Sequence, residues 1–239
     1  MASQTKVREM IAKNNAKKGG LSDKIVPIIL AIISAISILT TIAILFTLLT
    51  ETITFFTRVP LSKFFLSGTW NPTGSSPEFG IWALIIGTLK ITVIATIVAV
   101  PIGLGAAIYL NEYASDRSRR IIKPILEILA GIPTIVFGFF ALTFVTPILR
   151  NLIPNLGEFN SISPGIVVGI MIVPMITSMS EDVMSSVPDK IREGAFGLGA
   201  TKFEVATKVV LPAATSGVVA SIVLGISRAI GETMIVSLA

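Results

Sequence analysis

Pro188-Asp189-Lys190-Ile191-Arg192-Glu193-Gly194-Ala195-Phe196-Gly197-Leu198-Gly199-Ala200-Thr201-Lys202-Phe203-Glu204 spells two short helices joined by a turn. Proline can open a helix at its first position, where the missing N–H costs nothing. Asp189 and Glu193 then fall in the early turns, where negative charge suits the helix dipole. Gly199 is placed to end that helix in a left-handed cap. Thr201 and Glu204 have the spacing of a capping box and start the second helix. Leu211-Pro212 turns the chain into a new apolar segment, and Ile191, Ala195, Phe196, Leu198 and Phe203 are available as apolar contacts. Such an element can rest on lipid headgroups or be gripped by another protein.

What flanks it decides the solvent. Of 239 residues, 52% are hydrophobic and only 14% charged, and mean hydropathy is +0.85. A soluble chain this apolar would expose large sticky patches, whereas a bilayer accepts them. A spanning helix needs roughly 20 mainly apolar residues. Five stretches qualify: 25–49, 81–109, 125–149, 162–179 and 212 to the chain end. The expected fold is all-α, a polytopic membrane helical bundle (25–239) preceded by a basic tail (1–24), with 180–212 as its longest polar connection.

Basic residues orient the bundle. The tail holds Lys6, Arg8, Lys13, Lys17, Lys18 and Lys24. Residues 111–124 hold Arg117, Arg119, Arg120 and Lys123; residues 180–212 hold Lys190, Arg192, Lys202 and Lys208. The alternate connections hold only Arg58, Lys63 and Arg150. The positive-inside rule therefore puts the N-terminus and the 188–204 element in the cytoplasm of a multi-pass plasma-membrane protein. The tail is too long and basic for a plain signal peptide, and no small-x-small cleavage site follows the first apolar run.

Pro101, Pro133 and Pro174 sit inside the expected spans and should kink them, which a membrane tolerates where neighbours satisfy the freed carbonyls. Gly165 and Gly169 form a GxxxG pair that lets another helix approach closely. The last residues, 234–239, are still apolar with no charged flank, so the reading expects a truncated fifth span and a parent chain that continues.

The stretch Glu193-Gly194-Ala195, three residues, Gly199, nine residues, Val209-x-Leu211-Pro212 resembles the EAA loop of ABC importer permeases. That pattern is E-A-A, three residues, G, nine residues, I-x-L-P; Gly194 and Val209 are the departures. The resemblance implies a type I importer permease fold, in which the first loop helix is a coupling helix docking on a separate ATPase. Ile191, Glu193, Gly194, Ala195, Phe196, Gly199, Val209, Leu211 and Pro212 are its coupling residues here. Gly194 and Gly197 weaken that helix by roughly 1 kcal/mol each relative to alanine, so docking would help to hold it.

From Ile38 onward the chain also resembles phosphate permeases of the PstC type, most densely at 87–89, 99–110, 129–138 and 228–234. This implies an inorganic phosphate importer. The implied partners are a sister permease of the PstA type, two copies of an ATP-binding subunit carrying ATP and Mg, and an external phosphate-binding protein. Family members usually have six spans. Permeases for molybdate, sulfate or phosphonate are the nearest alternatives; a secondary transporter or a membrane scaffold lies further off.

The candidate substrate pathway rests on intramembrane charge. Arg228 lies roughly 24 Å along a helix from Pro212, which places it within the membrane. There it is costly unless it faces protein or water, and Glu232, four residues on, is the expected partner. A guanidinium fork suits phosphate oxygens. The pair therefore either attracts the anion, with Glu232 holding Arg228 when the path is empty, or locks helix packing. Lys90 either snorkels to the headgroups or adds to a positive vestibule.

Cysteine and histidine are absent, which excludes thiol and imidazole chemistry and Cys or His metal sites from this chain. Residues 194–201 have Walker A glycine spacing but Ala200 where lysine is needed. No catalytic residues, metal or cofactor are expected in the chain itself. Its excess basic charge speaks to membrane topology, and no nucleic acid partner is expected.

Overall fold

Long apolar runs leave the backbone no solvent partner in a bilayer, so they fold as helices that satisfy their own N–H and C=O groups. The structure, a computed structural model, describes residues 21–238. Five helices among the described residues are long and apolar enough to cross a membrane: Ile25–Arg58, Ile81–Tyr113, Thr134–Leu152, Ile162–Ser185 and Thr215–Ser237. Most of the expected basic tail lies outside the described residues.

The chain divides into two compact units. The first contains α1 (Leu21–Arg58) and α2 (Leu61–Leu66). At 38 residues α1 is about 57 Å long, more than the roughly 30 Å of hydrocarbon, and it runs past the expected end at Leu49. It is predominantly apolar along its length, as a membrane-spanning helix is. Its hydroxyls are satisfied within the helix: Thr40, Thr41, Thr47, Thr52 and Thr54 donate to carbonyls one turn back. Phe55, Phe56, Phe64 and Phe79 form an edge-to-face cluster at its far end. The connection beyond contains a minimal two-stranded sheet, β1 (Trp70–Asn71) and β2 (Glu78–Phe79).

The second unit is built around α3 (Ile81–Ile108), α7 (Ile162–Ser185) and α11 (Thr215–Ile230). Between α3 and α11 along the chain come α4 (Asp116–Ala130), α5 (Thr134–Phe140), α6 (Thr146–Leu152), α7, α8 (Asp189–Gly197), α9 (Lys202–Glu204) and α10 (Leu211–Ala213); α12 (Met234–Leu238) follows α11. Wider π turns link several of these, at Tyr109–Tyr113, Ala141–Val145 and Val205–Val210. The core is a layer of Ala95, Ala99, Val167, Val168, Ile172 and Ile176, with a second layer around Met184, Val205, Val210 and Val218.

Small residues set the spacing of α3 and α7. A Cβ on Gly165 would lie 2.7 Å from Ile94 Cγ2, and one on Gly169 would lie 2.9 Å from Val98 Cβ and 3.0 Å from the Ala95 carbonyl oxygen. The GxxxG pair thus receives another helix of the same chain. Buried hydroxyls bridge the bundle: Thr177 donates to the Gly103 carbonyl at 3.2 Å, and Ser180 and Ser221 share a hydrogen bond of 2.6 Å.

Two expectations need correction. The third span does not begin at Ile125. Residues 116–130 form α4, a separate amphipathic helix, and the chain breaks at 131–133 before α5. Pro133 caps α5 rather than kinking a span. The sequence places basic residues every few positions through 123, too polar a face for hydrocarbon, and Gly131 and Pro133 interrupt the ladder. The fifth span is not continuous either: α11 ends at Ile230 and α12 begins at Met234.

Candidate functional site

The 188–204 element folds as its residues dictate. Pro188 takes an extended conformation and caps α8, which starts at Asp189. Gly199 has φ of 85°, the left-handed conformation that a side chain would strain. Thr201 Oγ1 accepts from the Glu204 N–H at 3.3 Å, and Glu204 Oε2 accepts from the Thr201 N–H at 3.1 Å, completing the capping box. That backbone hydrogen bond, with help from Lys208 at 3.0 Å, holds the Glu204 carboxyl at about 2. Leu211 and Pro212 then form α10, which hands the chain to α11.

One residue fastens the element to the bundle. Arg192 donates through Nη1 to the Val187 carbonyl at 2.6 Å and through Nη2 to the Met184 carbonyl at 2.7 Å, both at the end of α7. Its Nε lies 3.2 Å from Glu112, just beyond α3, and its Nη1 lies 2.9 Å from Asp189. The Arg192 and Glu112 side chains are 13% and 7% exposed, so the pair is shielded from water. Ala195 packs against the core layer beside Val205 and Val210.

Most of the remaining side chains of the element face outward. Ile191, Glu193, Phe196 and Phe203 are exposed, and Leu198 is 92% exposed. Ala195, Leu198, Gly199, Ala200, Glu204, Lys208 and Val209 line an open groove of about 400 Å³. Gly194 has open space where a Cβ would sit. A polar anchor on one side and unpartnered aromatic and aliphatic groups on the other make a surface that a second protein can grip.

A second charge cluster, which sequence reasoning missed, lies alongside. Glu181, in the last turns of α7, is 1% exposed and pairs with Lys123 of α4; Arg119 Nε is 3.5 Å from its other oxygen. Glu181 raises the Lys123 pKa above its ordinary value, helped by Asp182 at 3.2 Å. A carboxylate just beyond an apolar run was the available signal, but burial and partners come from helix packing. Glu112 was missed for the same reason.

The intramembrane charges do not pair as expected. The helix breaks at Gly231, so Arg228 and Glu232 do not share a helical face. Glu232 Oε1 instead accepts from the N–H groups of Met234 and Ile235, at 3.2 and 3.4 Å, and opens α12. Arg228 is exposed in the last turn of α11, where its charge complements the helix dipole. Among the described residues no ion pair joins Arg228 or Lys90 to Glu232. Lys90 is exposed on α3.

A family model described as binding-protein-dependent transport system inner membrane component matches residues 99–239, which include both charge clusters and the whole 188–212 element. The chain belongs to this permease family. Among similar curated proteins is a probable ABC transporter permease protein, YqgH, of Bacillus subtilis (strain 168), 38% identical over 177 residues, 74% of this chain and 57% of the relative. The phosphate transport system permease protein PstC of Haemophilus influenzae is 38% identical, over 73% of this chain and 61% of its own length. PstC of Pasteurella multocida is 39% identical, over 73% and 60%. The chain thus spans about three-fifths of the length of these relatives. Among solved structures, the MetNI methionine ABC transporter in an inward-facing conformation matches with a TM-score of 0.53. It shares 22% identity, covering 63% of this chain and 71% of that one, which establishes the permease fold. A permease of this family is a non-catalytic, multi-pass membrane component.

Proposed function

We propose that the chain is the membrane-spanning subunit of an importer that moves inorganic phosphate into the cell, driven by ATP hydrolysis on a separate subunit. The observation that carries this reading is the 188–204 element: Arg192 ties it to the ends of α3 and α7, while Ile191, Phe196, Leu198 and Phe203 stay uncovered. A push on that element reaches two bundle helices directly. The basic residues at 111–124 and 180–212 support a cytoplasmic N-terminus and a cytoplasmic element.

The partners of this reading are two ATP-binding subunits holding ATP and Mg, a sister permease of the PstA type, and an external phosphate-binding protein. Phosphate as cargo draws support from relatives named as phosphate transport permeases and from Arg228, an exposed guanidinium beside a break in the fifth span. Guanidinium forks bind phosphate oxygens bidentately. Lys90, if it faces the same path, adds positive potential.

The test is ATP hydrolysis by the complex reconstituted in vesicles. Phosphate and its binding protein together should stimulate hydrolysis, with phosphate accumulating inside. Stimulation by molybdate, sulfate or phosphonate in place of phosphate would transfer the cargo to that oxyanion. Transport without any ATP-binding subunit would overturn the reading.

A further inference from the structure

Helix α4 has two unlike sides. One faces the bundle, where Lys123 and Arg119 reach the buried Glu181 and Ile122, Leu126 and Leu129 are half-buried. The other carries Ile121, Ile125 and Ile128 at i, i+4 and i+7 spacing, all more than half exposed and Ile128 72% exposed. Arg117 and Arg120 are exposed beside this stripe, and neither makes an ion pair or hydrogen bond among the described residues.

We infer that this outer side of α4 binds an acidic glycerophospholipid, with the three isoleucines among the acyl chains and Arg117 and Arg120 on the headgroup phosphate. Three observations meet here. Only residues 131–133 separate α4 from the third span, so its end lies within about 14 Å of that helix and hence at the membrane boundary. The ion pairs to Glu181 set the roll of α4, which keeps the isoleucine stripe from turning inward. Basic charge beside an exposed apolar stripe then complements an anionic bilayer surface, as amphipathic interfacial helices do. The choice of leaflet rests on the orientation proposed above; the site itself does not.

The chain lacks cysteine, so Ile125→Cys labelled with bimane reports this face alone in the full chain. The labelled protein is reconstituted in phosphatidylcholine vesicles containing about one-quarter phosphatidylglycerol, with bromine on the acyl chains of one lipid or the other. Both should quench, and per mole phosphatidylglycerol should quench more strongly, by about fivefold for each of the two arginines near the anionic surface. Replacing both arginines, R117Q with R120Q, should bring the ratio to about one while phosphatidylcholine still quenches. Added inorganic phosphate should change nothing. Equal quenching by the two lipids before the arginines are replaced, displacement by inorganic phosphate, or no quenching because protein or water covers the face would each overturn the site. Ile128→Cys gives the same readout should I125C fail to insert. No ATP-binding partner is needed, so this result and the transport assay fail independently.

Discussion

The Arg192 guanidinium binds the Glu112 carboxylate at 3.2 Å while donating to the Met184 and Val187 carbonyls, so a single side chain joins α8 to the ends of two bundle helices. A helix end leaves its last carbonyls without intrahelical partners, and a cation there meets both the orphan groups and the dipole. Truncation to Arg192→Ala leaves the Val187 carbonyl without its donor and Glu112 with only the Asn111 amide, with little water at hand. The expected loss is about 2–4 kcal/mol of local stability. Amide hydrogen exchange across 189–198 should accelerate far more than across α3 or α7; uniform protection would mean that the clamp is dispensable.

The exposed face of the same element should behave in the opposite way. Leu198→Ser removes a side chain that packs on little of this chain, so thermal stability should shift by no more than about 0.5 kcal/mol, whereas Phe196→Ser removes a ring that is 41% exposed and should cost about 1 kcal/mol. Co-purification with an ATP-binding subunit should be lost. Retained co-purification in both variants would place the docking surface elsewhere.

Helix spacing in the core has its own test. Gly169→Ala drives a methyl group against Val98 and the Ala95 carbonyl, and the backbone oxygen cannot swing aside. Overpacking of this kind costs about 1–3 kcal/mol. The unfolding midpoint in detergent should fall for G169A and rise slightly for Gly87→Ala, where a Cβ meets open space and alanine favours the helix by roughly 1 kcal/mol.

Arg228 and Glu232 now have separable roles. Arg228→Met should abolish phosphate-stimulated ATP hydrolysis with the complex intact, because the guanidinium makes no ion pair that assembly needs among the described residues. Glu232→Ala removes the acceptor for two N–H groups of α12 and should cost about 1 kcal/mol, as loss of a helix cap does. E232Q keeps an acceptor oxygen and should recover most of that loss. Dissociation of the R228M complex would instead assign Arg228 to packing.

Acid should spare the capping box until late. The Thr201 N–H, Lys208 and the Thr201 hydroxyl hold Glu204 at about 2, below its ordinary 4.5. A carboxyl depressed on folding stabilises the native form above its unfolded value and loses that contribution as pH falls through the folded one. The box should therefore be intact from neutral pH to about 4.5, weaken below it and open near 2. The Glu204 carboxyl carbon resonance follows this directly, and a midpoint near 4.5 would contradict the geometry.

Much of this was legible without coordinates because it is local. Thr201 and Glu204 cap each other over three residues, Gly199 needs only its own φ, and an apolar run of bilayer length has only the helix to fold into. Polar residues at 116–123 already argued against hydrocarbon there, yet apolarity from Ile125 onward masked the break at 131–133. The spacing of Arg228 and Glu232 suggested a pair only on the assumption of an unbroken helix, and Gly231 ends that helix.

By itself, then, the sequence determined that this chain lives in a bilayer, that its long apolar runs are helical, and that a capped helix–turn–helix lies between the fourth and fifth spans. Hydropathy, caps and turns depend on neighbours within a few positions, so the order of residues specifies them. Only the tertiary structure decided that Arg192 clamps Glu112, eighty positions away, that Glu181 is buried against Lys123, and which face of α4 stays bare. Those relations depend on how helices roll and cross, and long-range packing of many weak contacts sets that geometry.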